Sequence, residues 1–189
     1  MTSTASTSRA IFPVPTRDTV TPANQQLFDT LQQKIGFVPN LYATIAYSPT
    51  ALGDYLALQN RKSSLRARER ELINLVVSEV NGCDYCRAAH TAIGRLQGFT
   101  DDQILEIRRG GATFDAKLDA LAQFVRDVVE SRGHPQPATT DALLAAGYTR
   151  ENIVDIVIVI GDKVIMNFLH GITGIPVDFP AAPPLAVAA

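Results

Sequence analysis

Tryptophan is absent from this chain, and Phe, Trp and Tyr together account for only 7% of its 189 residues. Any core must therefore rest on Leu, Ile, Val and Ala. There are only two cysteines, which excludes a disulfide scaffold. An excess of one charge is missing too. The formal net charge of −2 argues against a dominant nucleic-acid or anionic-membrane surface. No apolar run is long enough to span a bilayer, the longest being residues 153–160. The first residues, MTSTASTSRA, lack the apolar stretch of a secretory signal and read as a frayed terminus. These absences point to a soluble, cytoplasmic protein without a membrane or nucleic-acid partner.

What is present fits a globular chain: 46% apolar and 19% charged residues. The length suits one domain over residues 1–189, with tails at about 1–20 and 176–189. The second tail contains four prolines and reads as extended, free to pack on a neighbouring subunit. Helix punctuation recurs between the tails. Thr21-Pro22 and Ser48-Pro49 each offer an N-cap followed by proline at the first helical position. Thr100 to Gln103 is a capping box, and Asp115 can cap the helix after Gly110-Gly111. Helices are expected near 22–35, 40–47, 49–61, 66–80, 83–97, 101–109, 115–132, 138–146 and 150–170. The β-branched run 153–160 favours a strand on propensity. Thr149 as an N-cap, and a pattern that continues to Leu169, favour a buried helix instead. The fold class expected is all-α.

The two cysteines stand in Cys83-Asp84-Tyr85-Cys86, with His90 four residues on. At about 100° per residue the three positions fall within roughly 60° around a helix axis. Asn81-Gly82 stops the preceding helix and lets the next begin at about Cys83. A cysteine at a helix N-terminus is favoured as thiolate, the form that attacks peroxides and disulfides. If the flanking helices fold back as a hairpin, Glu71 and His90 both lie roughly 12–15 Å from the turn. Glu71 then faces His90, orients it and raises its basicity, so that His90 can take a proton from Cys86. Glu69 points elsewhere, and Glu79 is the competing carboxylate. The helix N-terminus favours Cys83 as nucleophile, the adjacent base Cys86. Tyr85 and His170 are further candidates for the pocket. Asp162 and Lys163 interrupt an apolar helix; either they pair across a subunit interface or Asp162 approaches the site. His134, beside Pro135, reads as a loop residue.

Glu71 followed by Cys83-x-x-Cys86-x-x-x-His90 resembles the signature of the alkylhydroperoxidase D (AhpD-like) proteins of the carboxymuconolactone decarboxylase superfamily. The stretch RARERELINLVVSEVNGCDYCRAAHTAIGRLQGFTDDQI, the motif core of about 66–105, carries the resemblance most closely. GFVPNLYATIAYSPTALGDYLAL upstream and GDKVIMNFLHGITGIPVDFP downstream resemble the peroxidase-related branch. The resemblance implies an AhpD-like helical fold and a homo-oligomer, trimer or hexamer. It also implies a thiol-dependent peroxidase that needs no cofactor or metal, acting on a peroxide and recharged by a thiol or dithiol reductant. It makes Cys86 the peroxidatic cysteine, Cys83 the resolving one, and Glu71 and His90 the proton relay. In one respect the chain departs from some members, which carry a second histidine just before the second cysteine, where Tyr85 stands here. Two rival readings remain open: a carboxymuconolactone decarboxylase-type lyase, and a non-enzymatic oligomeric or metal-binding protein. A zinc site would need a fourth ligand from His170, His134 or Glu71.

Overall fold

The computed structural model of the chain describes residues 12–185. After a short 3-10 turn at Arg17–Thr19, nine α-helices and no strand occur among the described residues. They are α1 (Pro22–Ile35), α2 (Asn40–Ile45), α3 (Ala51–Gln59), α4 (Ala67–Val80), α5 (Asp84–Leu96), α6 (Asp101–Arg108), α7 (Ala116–Glu130), α8 (Pro137–Ala145) and α9 (Arg150–Thr173). The all-α expectation holds, and the β-branched run 153–160 lies inside α9. That helix is fixed at its start by a reciprocal cap: Asn152 N–H donates to Thr149 Oγ1 at 3.2 Å, and Thr149 N–H to Asn152 Oδ1 at 2.8 Å. The caps read at Thr100 and Asp115 are also formed. Several expected helix ends shift by one to three residues, and one expected start is wrong. Ser48-Pro49 does not open a helix, because Ser48 Oγ accepts the Ala51 N–H in a turn and helical hydrogen bonding starts only at the Thr50 carbonyl.

α4 is the central helix and packs against α5, α6, α7 and α9. Leu72, Ile73, Leu75, Val76 and Val77 are fully buried on it, which is why so short a helix is apolar on most of its circumference. Each contributes about 1.5–3 kcal/mol of burial. They belong to one apolar cluster with α6 to α9, built on Ile107, Leu121, Val125, Leu143 and Ile156. A second cluster gathers Phe28, Leu41, Leu52, Tyr55, Met166 and Ile175 around Cys83 and Cys86. The motif therefore sits where the α4–α5 hairpin meets the N-terminal helices.

The C-terminal tail, extended as expected, packs on its own chain rather than waiting for a neighbour. Asp178 Oδ2 accepts the Asn40 N–H at 2.7 Å, and Phe179 stacks edge-on against Phe37 and Tyr85. The Pro183 carbonyl accepts from Arg108 at 2.7 Å. No helix among the described residues is long and apolar enough to cross a membrane.

Candidate functional site

The turn between α4 and α5 is built by one glycine. Gly82 takes φ +66°, in the left-handed region, so its N–H reaches the Glu79 carbonyl and the next N–H, that of Cys83, reaches back to Ser78. Those two bonds close α4 in a Schellman arrangement. Cys83, the residue that completes it, is also the N-cap of α5: its Sγ accepts the Cys86 N–H at 3.3 Å. Both thiols are free and buried.

The hairpin brings Glu71 and His90 level. His90 Nδ1 lies 2.7 Å from Glu71 Oε1, and Asn74 donates to the other carboxylate oxygen at 3.3 Å. Both partners are buried, at 5% and 7% exposure, so water competes little for this bond. With Nδ1–H given to the carboxylate, the remaining ring nitrogen, Nε2, is the basic one. His90 lines two cavities. One, of about 450 Å³, is polar and includes Tyr42, Glu71, Asn74, Arg70 and Asp162. The other, of about 310 Å³, has apolar walls from Phe37, Leu41, Leu96, Met166 and Phe179, with Cys86, Tyr85 and Lys163 among its lining residues.

The two sulfurs differ in their surroundings. The Cys86 thiol, the Cys86 N–H and the neighbouring His170 ring hold the Cys83 thiol well below its usual range, against the upward push of burial. His170 is correspondingly raised by Cys83, and it rests on the Ile175 carbonyl, 3.2 Å from Nε2. Cys86 is raised, by its hydrogen bond to Cys83 and by burial, while Lys163 and Asn167 act the other way. The surroundings of the two sulfurs thus favour negative charge on Cys83 over Cys86. A second thiolate could form only with a base to take the proton and a cation to hold the charge.

The other candidates fall on both sides. Asp162 does approach the site, lining the polar cavity with His90 and Glu71, and it is buried within the chain, as is Lys163. That removes the pairing of these two across a subunit interface. Tyr85 lines the apolar cavity, and its hydroxyl is taken: it donates to Asp178 Oδ1 at 2.6 Å and accepts the Leu41 N–H at 3.3 Å. Glu79 is not at the site, because Arg87 and Arg108 bind its two oxygens at 3.0 and 2.8 Å. Glu69 accepts from Arg66 N–H and from the Tyr148 hydroxyl. His134 lies exposed in the α7–α8 loop. No three His, Cys, Asp or Glu side chains cluster as metal ligands among the described residues. Sequence reasoning missed Tyr42 and Asn167. Burial pushes the Tyr42 phenol up to about 12, so it stays a neutral donor, to Gln59 at 2.8 Å. Lys163, Asn167 and His170 repeat at i, i+4 and i+7, one face of α9, and that spacing was the available signal.

Residues 46–127 match the model of the carboxymuconolactone decarboxylase family. No curated protein matches the chain. Among solved structures, it is similar to an uncharacterized peroxidase-related protein from Ralstonia eutropha with an alkylhydroperoxidase AhpD core. The identity is 25%, over 89% of this chain and 92% of that one, with a TM-score of 0.80. An uncharacterized peroxidase-related protein from Silicibacter sp. is similar at 25% identity, over 95% of each chain, with a TM-score of 0.78. The debrominase Bmp8, in complex with 2,3,4-tribromopyrrole, shares the fold at 16% identity, over 90% of this chain and 94% of that one, with a TM-score of 0.73. The family match and the two peroxidase-related structures bear out the resemblance to the AhpD-like proteins of the carboxymuconolactone decarboxylase superfamily, and the AhpD-like fold with it.

Proposed function

We propose that this AhpD-like chain of the carboxymuconolactone decarboxylase superfamily is a thiol peroxidase that reduces an organic hydroperoxide through Cys86 and Cys83. The observation that carries the reading is that Cys86 and His90 line one apolar cavity, with Glu71 fixing the His90 ring from behind and Cys83 one helical turn away. The apolar walls suit the alkyl body of a hydroperoxide.

The cycle runs as follows. His90 Nε2 takes the Cys86 proton, and the Cys86 sulfur attacks one peroxide oxygen. The O–O bond breaks, the alkoxide leaves with the proton from His90 as an alcohol, and Cys86 becomes a sulfenic acid. Cys83, the sulfur that holds charge most readily, then attacks that sulfur. Hydroxide leaves, takes up a proton as water, and an 83–86 disulfide remains. A thiol or dithiol reductant in a reducing, cytoplasmic compartment returns it to the dithiol. One peroxide consumes two thiols, so the electrons balance.

Glu71→Gln keeps the shape of the relay and removes its charge. Turnover of an organic hydroperoxide is expected to fall about 10–100-fold, while the thermal midpoint stays within a few degrees. A variant that loses its fold instead would make Glu71 a structural residue.

The same reading includes a homo-oligomer, and α9 offers the face for it. Every exposed residue of this helix from Val154 to Ile172 is apolar or glycine (Val154, Val157, Gly161, Ile165, Phe168, Gly171, Ile172), while Asp155, Asp162, Lys163 and Asn167 are turned inward. The bare side chains amount to about 500 Å², the upper end of what a monomer leaves open. Two copies, with the flanking groove of Ile45, Tyr47 and Leu58, approach the roughly 1,200 Å² at which stable interfaces begin. The strip is self-complementary about its midpoint. In an antiparallel pair Gly161 stands level with Ile165 of the second copy and Val157 close to Phe168, small against large. A hexamer is then three such pairs. Phe168→Glu is expected to halve the solution mass measured by light scattering; an unchanged mass removes this face from the assembly.

A further inference from the structure

Tyr85 stands immediately before Cys86, and its hydroxyl is bound to Asp178 and Leu41. Something else must then meet the charge that Cys86 acquires when it attacks. The groups around this sulfur are Cys83, Tyr85 and His90 on its own helix, Glu71 behind His90, Tyr42 on α2, Tyr55 on α3, and Lys163, Asp162 and Asn167 on α9. Glu71 is engaged with His90, and Tyr42 and Tyr55 are phenols raised by burial and so neutral. Asp162 has the wrong sign, and Asn167 brings a dipole but no charge. Lys163 is the lysine of this set, and no arginine stands in it. Lys163 is 2% exposed and makes no ion pair or hydrogen bond among the described residues, although a buried ammonium without an anion is costly. It lines the same apolar cavity as Cys86, and one turn along α9 stands Asn167, whose side-chain nitrogen has no other partner.

We propose that Lys163 is the positioning residue for the Cys86 thiolate, holding from α9 the charge for which Tyr85 makes no provision. The inference deepens the peroxidase reading and says how two neighbouring thiols can both react as anions. Lys163 leaves the chemistry to Cys86 and His90; it sets how readily Cys86 gives up its proton.

The test needs no peroxide, so it stands apart from the peroxidase reading itself. In a Cys83→Ser background Cys86 is the single thiol, and its alkylation by iodoacetamide is followed against pH. Adding Lys163→Met, which keeps length and removes charge, is expected to move the midpoint up by about one pH unit or more. At neutral pH that is a roughly tenfold slower reaction, and Lys163→Arg restores most of it. Circular dichroism checks that the variants fold, and Lys163→Gln replaces the methionine variant if that one does not. An unchanged midpoint in a folded, uncharged variant overturns the proposal. So does a slowing that arginine fails to rescue, which would mark Lys163 as a packing residue.

Discussion

Cys86→Ser is expected to leave no hydroperoxide turnover above background, and Cys83→Ser to stop after a single equivalent. The two losses differ because the two sulfurs stand in different surroundings. Cys86 lines the apolar cavity with His90, so replacing it by a hydroxyl removes the one thiol among the described residues that line it. Serine is far too weak an acid for an imidazole at this distance from solvent to activate without a dedicated oxyanion site. Cys83 caps α5 with its sulfur and holds charge more readily. Without it, Cys86 still cleaves the O–O bond once and is left as a sulfenic acid with nothing to close on. Rapid mixing with one equivalent of hydroperoxide, followed by dimedone trapping, separates the cases. Cys83→Ser gives a labelled protein and one alcohol per chain; Cys86→Ser gives neither. The reverse pattern would exchange the two roles.

Asp155→Ala is expected to be among the most destabilising single polar substitutions, about 2–4 kcal/mol, with a fall in thermal midpoint on the order of 5–15 °C. Asp155 is buried on α9 and ties the α3–α4 loop to it. Arg61 Nη2 donates at 2.7 Å, Ser63 Oγ at 3.0 Å, and Ser64 through both its hydroxyl and its N–H. Removing the carboxylate leaves those donors without their acceptor and loosens the start of α4, the helix that carries Glu71. The pH dependence follows from the same contacts. Burial alone would raise this carboxyl, but the Ser64, Arg61 and Ser63 donors overcome it and hold it well below its ordinary range. Its folded pKa thus lies below its unfolded value of about 3.9. The stability it contributes is present above about pH 4 and is lost as pH falls further toward the folded pKa. Urea unfolding of Asp155→Asn should lose that acid dependence, whereas an unchanged acid limb would assign it to other carboxylates.

The course of several helices was legible because they carry their own punctuation. Thr149 with Asn152, Thr100 with Gln103, and Asp115 all cap as their spacing implies. The meeting of Glu71 with His90 was legible for a related reason. Two helices joined by one left-handed glycine have a fixed register, and counting outward from the turn is enough. The registers that escaped are those between elements far apart in sequence. Nothing local says that α9 turns Lys163, Asn167 and His170 toward the start of α5 while leaving Val157, Phe168 and Ile172 bare. Packing of α9 against α4 decides that rotation. The tail is similar: Asp178 and Phe179 find Asn40, Tyr85 and Phe37 only once the second core has formed. Tyr85 lines the cavity as read, but the partner that takes its hydroxyl lies at the other end of the chain.

The central claim is a dithiol that closes on reaction with peroxide. Its most direct test is thiol titration of the purified, reduced protein before and after one equivalent of an organic hydroperoxide, with the products mapped by mass spectrometry. The account predicts two titratable thiols before, none after, and a single peptide in which Cys83 and Cys86 are joined as a disulfide. Two thiols persisting after the peroxide has been given time to react, with no 83–86 linkage, would contradict it.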